Sequence, residues 1–272
     1  MNAGKAAVAL AAAALGAGAS AGTNDFYVTG YASLDVSSGY ILYGARENDE
    51  PCLWAYAEFG LGYGKLGSIC AGLWQSSDLT GRRKEVMRRS AEWDWAVFYR
   101  GGLDLADGWR LAVEAGCLWY VYGGVKPAYE KYYHTMQEWG GRIALENPYL
   151  TPYFEYFYDA KVWKGAFMQG GLRHRFDLPF GFTFTPDFTV GGGDRNYKMC
   201  LYPPFDGSVS GGVSYVQVMG TLQYWFNDHV GAHAKIAFVS IADGDIRDAI
   251  DRAGGTYEND FVWGTIGVDV AF

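Results

Sequence analysis

Four histidines, His134, His174, His229 and His233, are the residues whose ordinary titration falls near neutrality, so a catalytic reading starts with them. None completes a recognisable constellation. No G-x-S-x-G elbow supplies a nucleophile. Cys52, Cys70, Cys117 and Cys200 have no C-x-x-C or Cys/His spacing of a zinc site; free thiols are expected, with a loop disulfide as the alternative. Gly191-Gly192-Gly193-Asp194 reads as a loop, because no Lys-Ser/Thr follows to cradle a phosphate. Asp243-Gly244-Asp245 lacks the closing Glu of a calcium loop. No catalytic residue, metal or cofactor is therefore expected.

The chemistry-bearing residues are instead charges spaced by two along extended segments. Asp35, Glu58, Glu92, Asp94, Arg100, Arg110, Glu114, Arg142, Glu155, Asp159, Arg173, Arg175, Lys235 and Asp269 each fall on the polar face of an alternating run. In 92–104, Trp93, Trp95, Val97 and Tyr99 share one face, whereas Glu92, Asp94, Arg100 and Asp104 share the other. Phe154, Tyr156 and Tyr158 alternate with Glu155 and Asp159. Ala232, Ala234, Ile236 and Phe238 oppose His233 and Lys235. A charge on a lipid-facing position costs about 2–4 kcal/mol at the bilayer midplane, so a barrel in a membrane turns these side chains inward. There they form either an ion-pair network filling a narrow barrel or charge rings along a pore. Acids outnumber bases, which favours cations or neutral polar solutes over acidic sugars.

Such charges need strands to carry them. The period-two segments lie near 26–44, 52–63, 66–76, 91–104, 109–122, 138–146, 149–159, 165–177, 181–190, 209–226, 230–241 and 259–272. Connections such as Tyr63–Leu66, Leu105–Gly108, Glu146–Pro148, Leu178–Phe180 and Asn227–His229 are tight and rich in turn residues. They alternate with longer ones at 45–51, 77–90, 123–137, 160–164, 191–208 and 242–258. This predicts an all-β, closed antiparallel transmembrane barrel of about twelve strands, with short periplasmic turns and long external loops. A soluble exported β-sandwich binder is the alternative, its apolar face being core.

Composition agrees. The 272 residues are 50% apolar, 19% charged and 17% aromatic, which excludes a disordered chain. After the first twenty-odd residues no apolar run approaches the roughly 20 residues of a spanning helix. A net charge of −8 disfavours nucleic acid as a partner. Residues 1–21 read as a signal peptide, with Lys5, the apolar stretch Ala6–Leu15 and the small-residue site Ala19-Ser20-Ala21. Residues 22–272 would then be the mature barrel of the bacterial outer membrane.

The chain ends with Gly267, Val268, Val270 and Phe272 in a Gly-x-x-apolar-x-aromatic arrangement. This resembles the C-terminal insertion signal of outer-membrane barrels and implies recognition by the barrel-assembly machinery. The stretches Ser38–Gly44, Leu150–Tyr153 leading to Tyr158-Asp159, and Phe261–Gly264 resemble a poorly characterised family of about twelve-stranded outer-membrane proteins akin to MipA/OmpV. That family often has Arg just before the Gly matching Gly44; here the position is Tyr43. The resemblance implies the fold and no established activity. Two functions follow as expectations. One is a narrow passive pore for small polar or cationic solutes. The other is a non-conducting membrane scaffold that binds a periplasmic or cell-wall partner. Arg82, Arg83, Lys84, Arg88 and Arg89 form a basic run in an external loop, where lipopolysaccharide phosphates are a candidate contact.

Overall fold

The computed structural model describes residues 26–80, 87–106, 108–125, 136–202, 209–253 and 258–272. The signal segment 1–21, Arg82–Lys84 and the side chains of Arg88 and Arg89 lie outside the described residues.

Residues with period-two patterning form long antiparallel strands, because each strand presents one face to each of two different environments. They are β1 (Phe26–Ser37), β2 (Cys52–Tyr63), β3 (Ser68–Asp78), β4 (Met87–Ala106), β5 (Trp109–Val125) and β6 (Met136–Glu146). The second half comprises β7 (Thr151–Asp159), β8 (Ala166–Arg173), β9 (Phe182–Gly193), β10 (Gly212–Trp225), β11 (Val230–Ile241) and β12 (Asp260–Ala271). Each pairs with its sequence neighbours, and a two-residue stub, Phe176–Asp177, pairs beside β9. β1 pairs with β12 from Tyr31 opposite Ala271 to Ser37 opposite Thr265, which closes the sheet as a twelve-stranded barrel. Closure removes the free edge that hydrocarbon could not satisfy.

Past the end of β12, Phe272 exchanges backbone hydrogen bonds with Gly30, at 2.9 and 3.0 Å. Its ring lies over Gly30, where a Cβ would come within 1.9 Å of ring carbon. Any larger residue there would force the ring aside.

The two faces separate as expected. Trp95, Val97 and Tyr99 are exposed on the outside, as are Phe154, Tyr156 and Tyr158, Ile236 and Phe238, and Val262, Ile266 and Val268. Their polar neighbours in sequence, including Glu92, Asp159, His233 and Asp269, are buried within. No helix among the described residues is long and apolar enough to cross a membrane.

Two readings of the sequence are corrected. The first segment does not run to Gly44. β1 ends at Ser37, and Tyr40–Leu42 pairs with Ala45–Asn48 as a separate small hairpin that joins no barrel strand. Its tip, Tyr43-Gly44, takes positive φ values of 46° and 82°, a turn the strand reading could not accommodate. Gly191–Gly193 is not a loop. These glycines finish β9, and Asp194 then caps the helix α1 (Arg195–Leu201) by accepting from the Tyr197 backbone N–H at 2.9 Å. A second helix, α2 (Gly244–Ala253), lies in the connection between β11 and β12. Asp243 Oδ1 accepts from the backbone N–H groups of Asp245 and Ile246 at its start, at 2.9 and 3.2 Å. The Asp-Gly-Asp stretch is a helix cap.

Candidate functional site

The lumen has two unlike halves. At the end of the long connections it is filled by protein. The hairpin 40–48, α1 and α2 fold inward and bury Tyr197, Leu201, Tyr202, Ile246 and Ile250 against inward wall residues Tyr120, Met136, Phe167, Tyr215, Val239, Ile241 and Phe261. This is a hydrophobic core inside a barrel, and we call it the cork.

One carboxylate ties the cork to the wall. Glu138, fully buried on β6, accepts hydrogen bonds from Tyr43 of the hairpin at 3.0 Å, Tyr120 of β5 at 2.7 Å and Tyr197 of α1 at 2.6 Å. Tyr43 and Tyr120 hydroxyls are also 2.9 Å apart. The Tyr43 ring packs on Phe167 with centroids 4.0 Å apart, and the Tyr202 hydroxyl donates to the Tyr43 carbonyl at 3.1 Å. On the hairpin's second strand, Arg46 pairs with Glu258 at 2.7 Å and lies over the Phe261 ring. Tyr40 stacks against Trp74 and Trp54. Lys198 of α1, buried, reaches Asp243 at the head of α2 at 2.6 Å, so the two helices brace each other. Glu47, also in the hairpin, is pushed up to about 8 by burial, with the neighbouring Glu92 carboxylate adding to the rise.

Below the cork the lumen stays open as a cavity of about 350 Å³. Asp94, Arg100, Glu114, Arg142 and Glu155 from the sequence-derived set line it together with Trp74 and Phe157. Inward Gly72, Ala96, Gly116 and Gly140 on four neighbouring strands leave the room. Arg100 binds Glu58 through both terminal nitrogens, at 2.6 and 3.1 Å, and Glu114 through Nε at 2.6 Å. Arg142 faces Glu155 at 3.5 Å and lies over the Tyr153 ring. The Arg100 and Glu114 side chains are 43% and 38% exposed, so the cavity opens toward the short turns.

Other predicted residues sit elsewhere on the inner wall. Arg173 pairs with Asp187 at 2.6 Å, beneath Tyr153. His233 bridges Asp35 and Asp269, at 2.9 Å on each ring nitrogen, and Asp269 also accepts from Tyr31 at 2.6 Å and Gln223 at 3.1 Å. This group joins β1, β11 and β12 across the closing seam. Lys235 points inward beside it. Arg110 with Glu146, and Arg175 with Asp177, are exposed pairs at the short-turn rim. Asp159 lines no open space. It accepts from the backbone N–H groups of Lys161, Val162 and Trp163 and holds the connection after β7. Cys52, Cys70, Cys117 and Cys200 are free thiols. Among the described residues no group of three or more His, Cys, Asp or Glu side chains is arranged to hold a metal ion.

Sequence reasoning missed the cork: Tyr43, Glu138, Tyr197, Lys198 and the two helices. One signal was readable. Ile246, Ala249 and Ile250 are spaced as an apolar helix face and are buried as one.

No protein-family model matches the chain, and no curated protein matches it. Solved structures do resemble it. An outer-membrane channel from Pseudomonas putida F1 is 7% identical, covering 94% of this chain and 98% of that one, with a TM-score of 0.52. The NanC porin is 15% identical over 87% of this chain and 98% of its own, with a TM-score of 0.50. Outer membrane phospholipase A from Escherichia coli is 15% identical over 92% and 93%, with a TM-score of 0.47. The fold is thus that of outer-membrane barrels. The likeness leaves the chemistry to the residues.

Proposed function

We propose that this protein is exported, loses residues 1–21, and works in the bacterial outer membrane as a narrow pore for small polar or cationic solutes, shut at rest by its cork. The observation that carries this reading is the origin of the obstruction. The cork is built from connections, the hairpin 40–48 and helices α1 and α2, and none of the hairpin's backbone pairs with a barrel strand. It can move without breaking a ladder hydrogen bond of the wall. Below it the wall is charged and holds water-sized space, with carboxylates in excess. In this reading Gly267, Val268, Val270 and Phe272 present the terminal strand to the barrel-assembly machinery, and the basic loop Arg82–Arg89 meets lipopolysaccharide phosphates.

The second reading is a non-conducting scaffold for a periplasmic or cell-wall partner. The apolar packing of the cork favours it, since a core of this kind resists opening. Planar-bilayer recordings separate the two. The test compares the full chain with a variant whose residues 39–50 are replaced by a short Gly-Ser linker. Cation-preferring steps in the linker variant support the pore. A linker variant that folds, shown by heat-modifiable gel mobility, and stays silent supports the scaffold.

A further inference from the structure

The strand register sets out the lining of the lumen cavity in rows. Arg100 of β4 faces Glu114 of β5, Glu114 faces Arg142 of β6, and Arg142 faces Glu155 of β7. Four neighbouring strands thus carry a belt of alternating sign. Each acid along it touches a guanidinium. Arg100 holds both Glu58 and Glu114 at 2.6 Å, and Arg142 stands 3.5 Å from Glu155. Gln169 of β8, opposite Glu155, donates to it as well. Nearer the cork the inward residues change character. Phe98, Gly116, Gly140 and Phe157 form the next row, and Ala96 and Leu118 lie in the row beyond. Arg100 covers the Phe98 ring, 5.0 Å from its centroid, which ties that ring to the belt. At the inner end Tyr40 stacks on Trp74, and Asp94 shares a side-chain hydrogen bond with Glu92. Between the belt and the cork there remains an apolar shelf of Ala96, Leu118 and Phe157, and the two glycines leave open space beside it.

The belt also determines what charge a ligand on this shelf can carry. An anionic group brought to Arg142 meets Glu114 and Glu155, which flank it in the register. A cationic group brought to Glu114 meets Arg100 and Arg142 in the same way. Either juxtaposition of like charges is unfavourable. A neutral oxygen avoids both costs, and one donor group is placed for it. Arg142 lines the cavity over the Tyr153 ring, and its Nε is buried without a hydrogen-bond partner. An acceptor oxygen would relieve the cost of leaving such a group unsatisfied. The volume of about 350 Å³ suits a small molecule whose apolar body leaves water for the shelf.

We propose that this cavity is a binding site for a small neutral organic molecule of one or two rings that carries a hydroxyl or carbonyl oxygen. Its apolar body lies on the Ala96, Leu118 and Phe157 shelf, and its oxygen accepts from the Arg142 guanidinium. The partly exposed Arg100 and Glu114 side chains mark its way in from the short-turn side. Occupancy requires no path through the cork, so the inference stands apart from the pore reading.

The test is a fluorine NMR titration of the full chain, folded in detergent, with para-fluorobenzyl alcohol, para-fluorobenzoate and para-fluorobenzylammonium. These probes differ in charge and little in shape, and empty micelles give the partitioning background. Wild type is expected to bind the alcohol saturably, about ten-fold or more tighter than either ion. Ala96→Phe puts a ring into the cavity and is expected to remove saturable binding. Arg142→Lys keeps a positive charge opposite Glu155 but removes the forked donors. It is expected to weaken the alcohol about ten-fold, to the level of para-fluorotoluene, which has no oxygen. Heat-modifiable mobility identifies which variants are closed barrels. Absence of saturable alcohol binding in wild type overturns the proposal. So does either ion binding as tightly as the alcohol, or unchanged alcohol affinity in a folded variant of either kind.

Discussion

Tyr43 is where the cork can be loosened by a known amount. Its hydroxyl donates to Glu138 at 3.0 Å, but Glu138 keeps Tyr120 and Tyr197 as donors when that hydroxyl is removed. Tyr43→Phe therefore removes one donor from a still-satisfied carboxylate, together with the 2.9 Å contact to the Tyr120 hydroxyl, about 1 kcal/mol of docking energy. That is roughly a five-fold rise in the open fraction. Tyr43→Ala also deletes a ring packed 4.0 Å from Phe167 and within contact of Phe157 and Tyr197. Truncating a buried aromatic costs about 3–5 kcal/mol, and the lower figure applies because the hairpin can settle into part of the space. A loss of about 3 kcal/mol raises the open fraction roughly 150-fold. Planar-bilayer recordings of both variants give open probabilities directly. The barrel's own thermal transition should shift little, because the hairpin's backbone pairs with no barrel strand. A folded Tyr43→Ala protein with an open probability within two-fold of wild type would refute the reasoning, as would equal behaviour of the Phe and Ala variants.

Four further outcomes are expected. Gly44→Ala places a Cβ 2.3 Å from the Tyr215 ring at a φ of +82°, so it should displace the hairpin tip and raise conductance without removing any polar contact; silence in a folded variant counts against the gate. Gly267→Ala puts a Cβ 1.8 Å from Asp35 Oδ1 and 2.9 Å from His233, which should lower barrel stability by about 1–3 kcal/mol in urea titration of the refolded protein. Glu47 rises from an ordinary 4.5 to about 8 in the docked hairpin, so docking holds a proton that the released hairpin gives up. Docking is then favoured most below about pH 4.5, weakens as pH climbs toward about 8, and levels off above it; open probability measured across that range should increase with pH, and Glu47→Gln should flatten the curve. Burial, with Asp159 and Asp194 nearby, pushes the Cys200 thiol up to about 12, so maleimide at pH 8 should leave it unlabelled until the protein is denatured.

The wall was legible because lipid and water impose a strict rule on alternate residues. Trp95, Val97 and Tyr99 against Asp94 and Arg100 is that rule written in one strand, and the structure places them on opposite faces. The cork was not legible because it obeys a different rule. Ser38–Gly44 continues the apolar and aromatic character of β1, and nothing local marks Ser37 as the end of a spanning strand. The sign lay further along the chain. In β11 the inward positions change from His233 and Lys235 to Ala237, Val239 and Ile241, while Ile236 and Phe238 remain outward. A strand apolar on both faces cannot have water on either side. Its inner surface must meet protein, and only the connections are long enough to supply it. Tyr43 was visible in the sequence, yet its role emerges only from Glu138 and Tyr197, which are distant in sequence.

The same inner surface limits how the pore could open. Withdrawing the whole cork would wet Tyr215, Val239, Ile241 and Phe261, all of which are buried. At about 1.5–3 kcal/mol for each apolar side chain returned to water, these four alone oppose full withdrawal by roughly 6–12 kcal/mol. Helices α1 and α2, braced by Lys198 and Asp243, carry most of that packing and would have to move together. The hairpin is tied less heavily. Its tip is held by the Tyr43 hydroxyl and ring, its second strand by the Arg46–Glu258 pair, and its backbone pairs with no barrel strand. Opening by the hairpin alone, with the helices left in place, is therefore the lower-energy route.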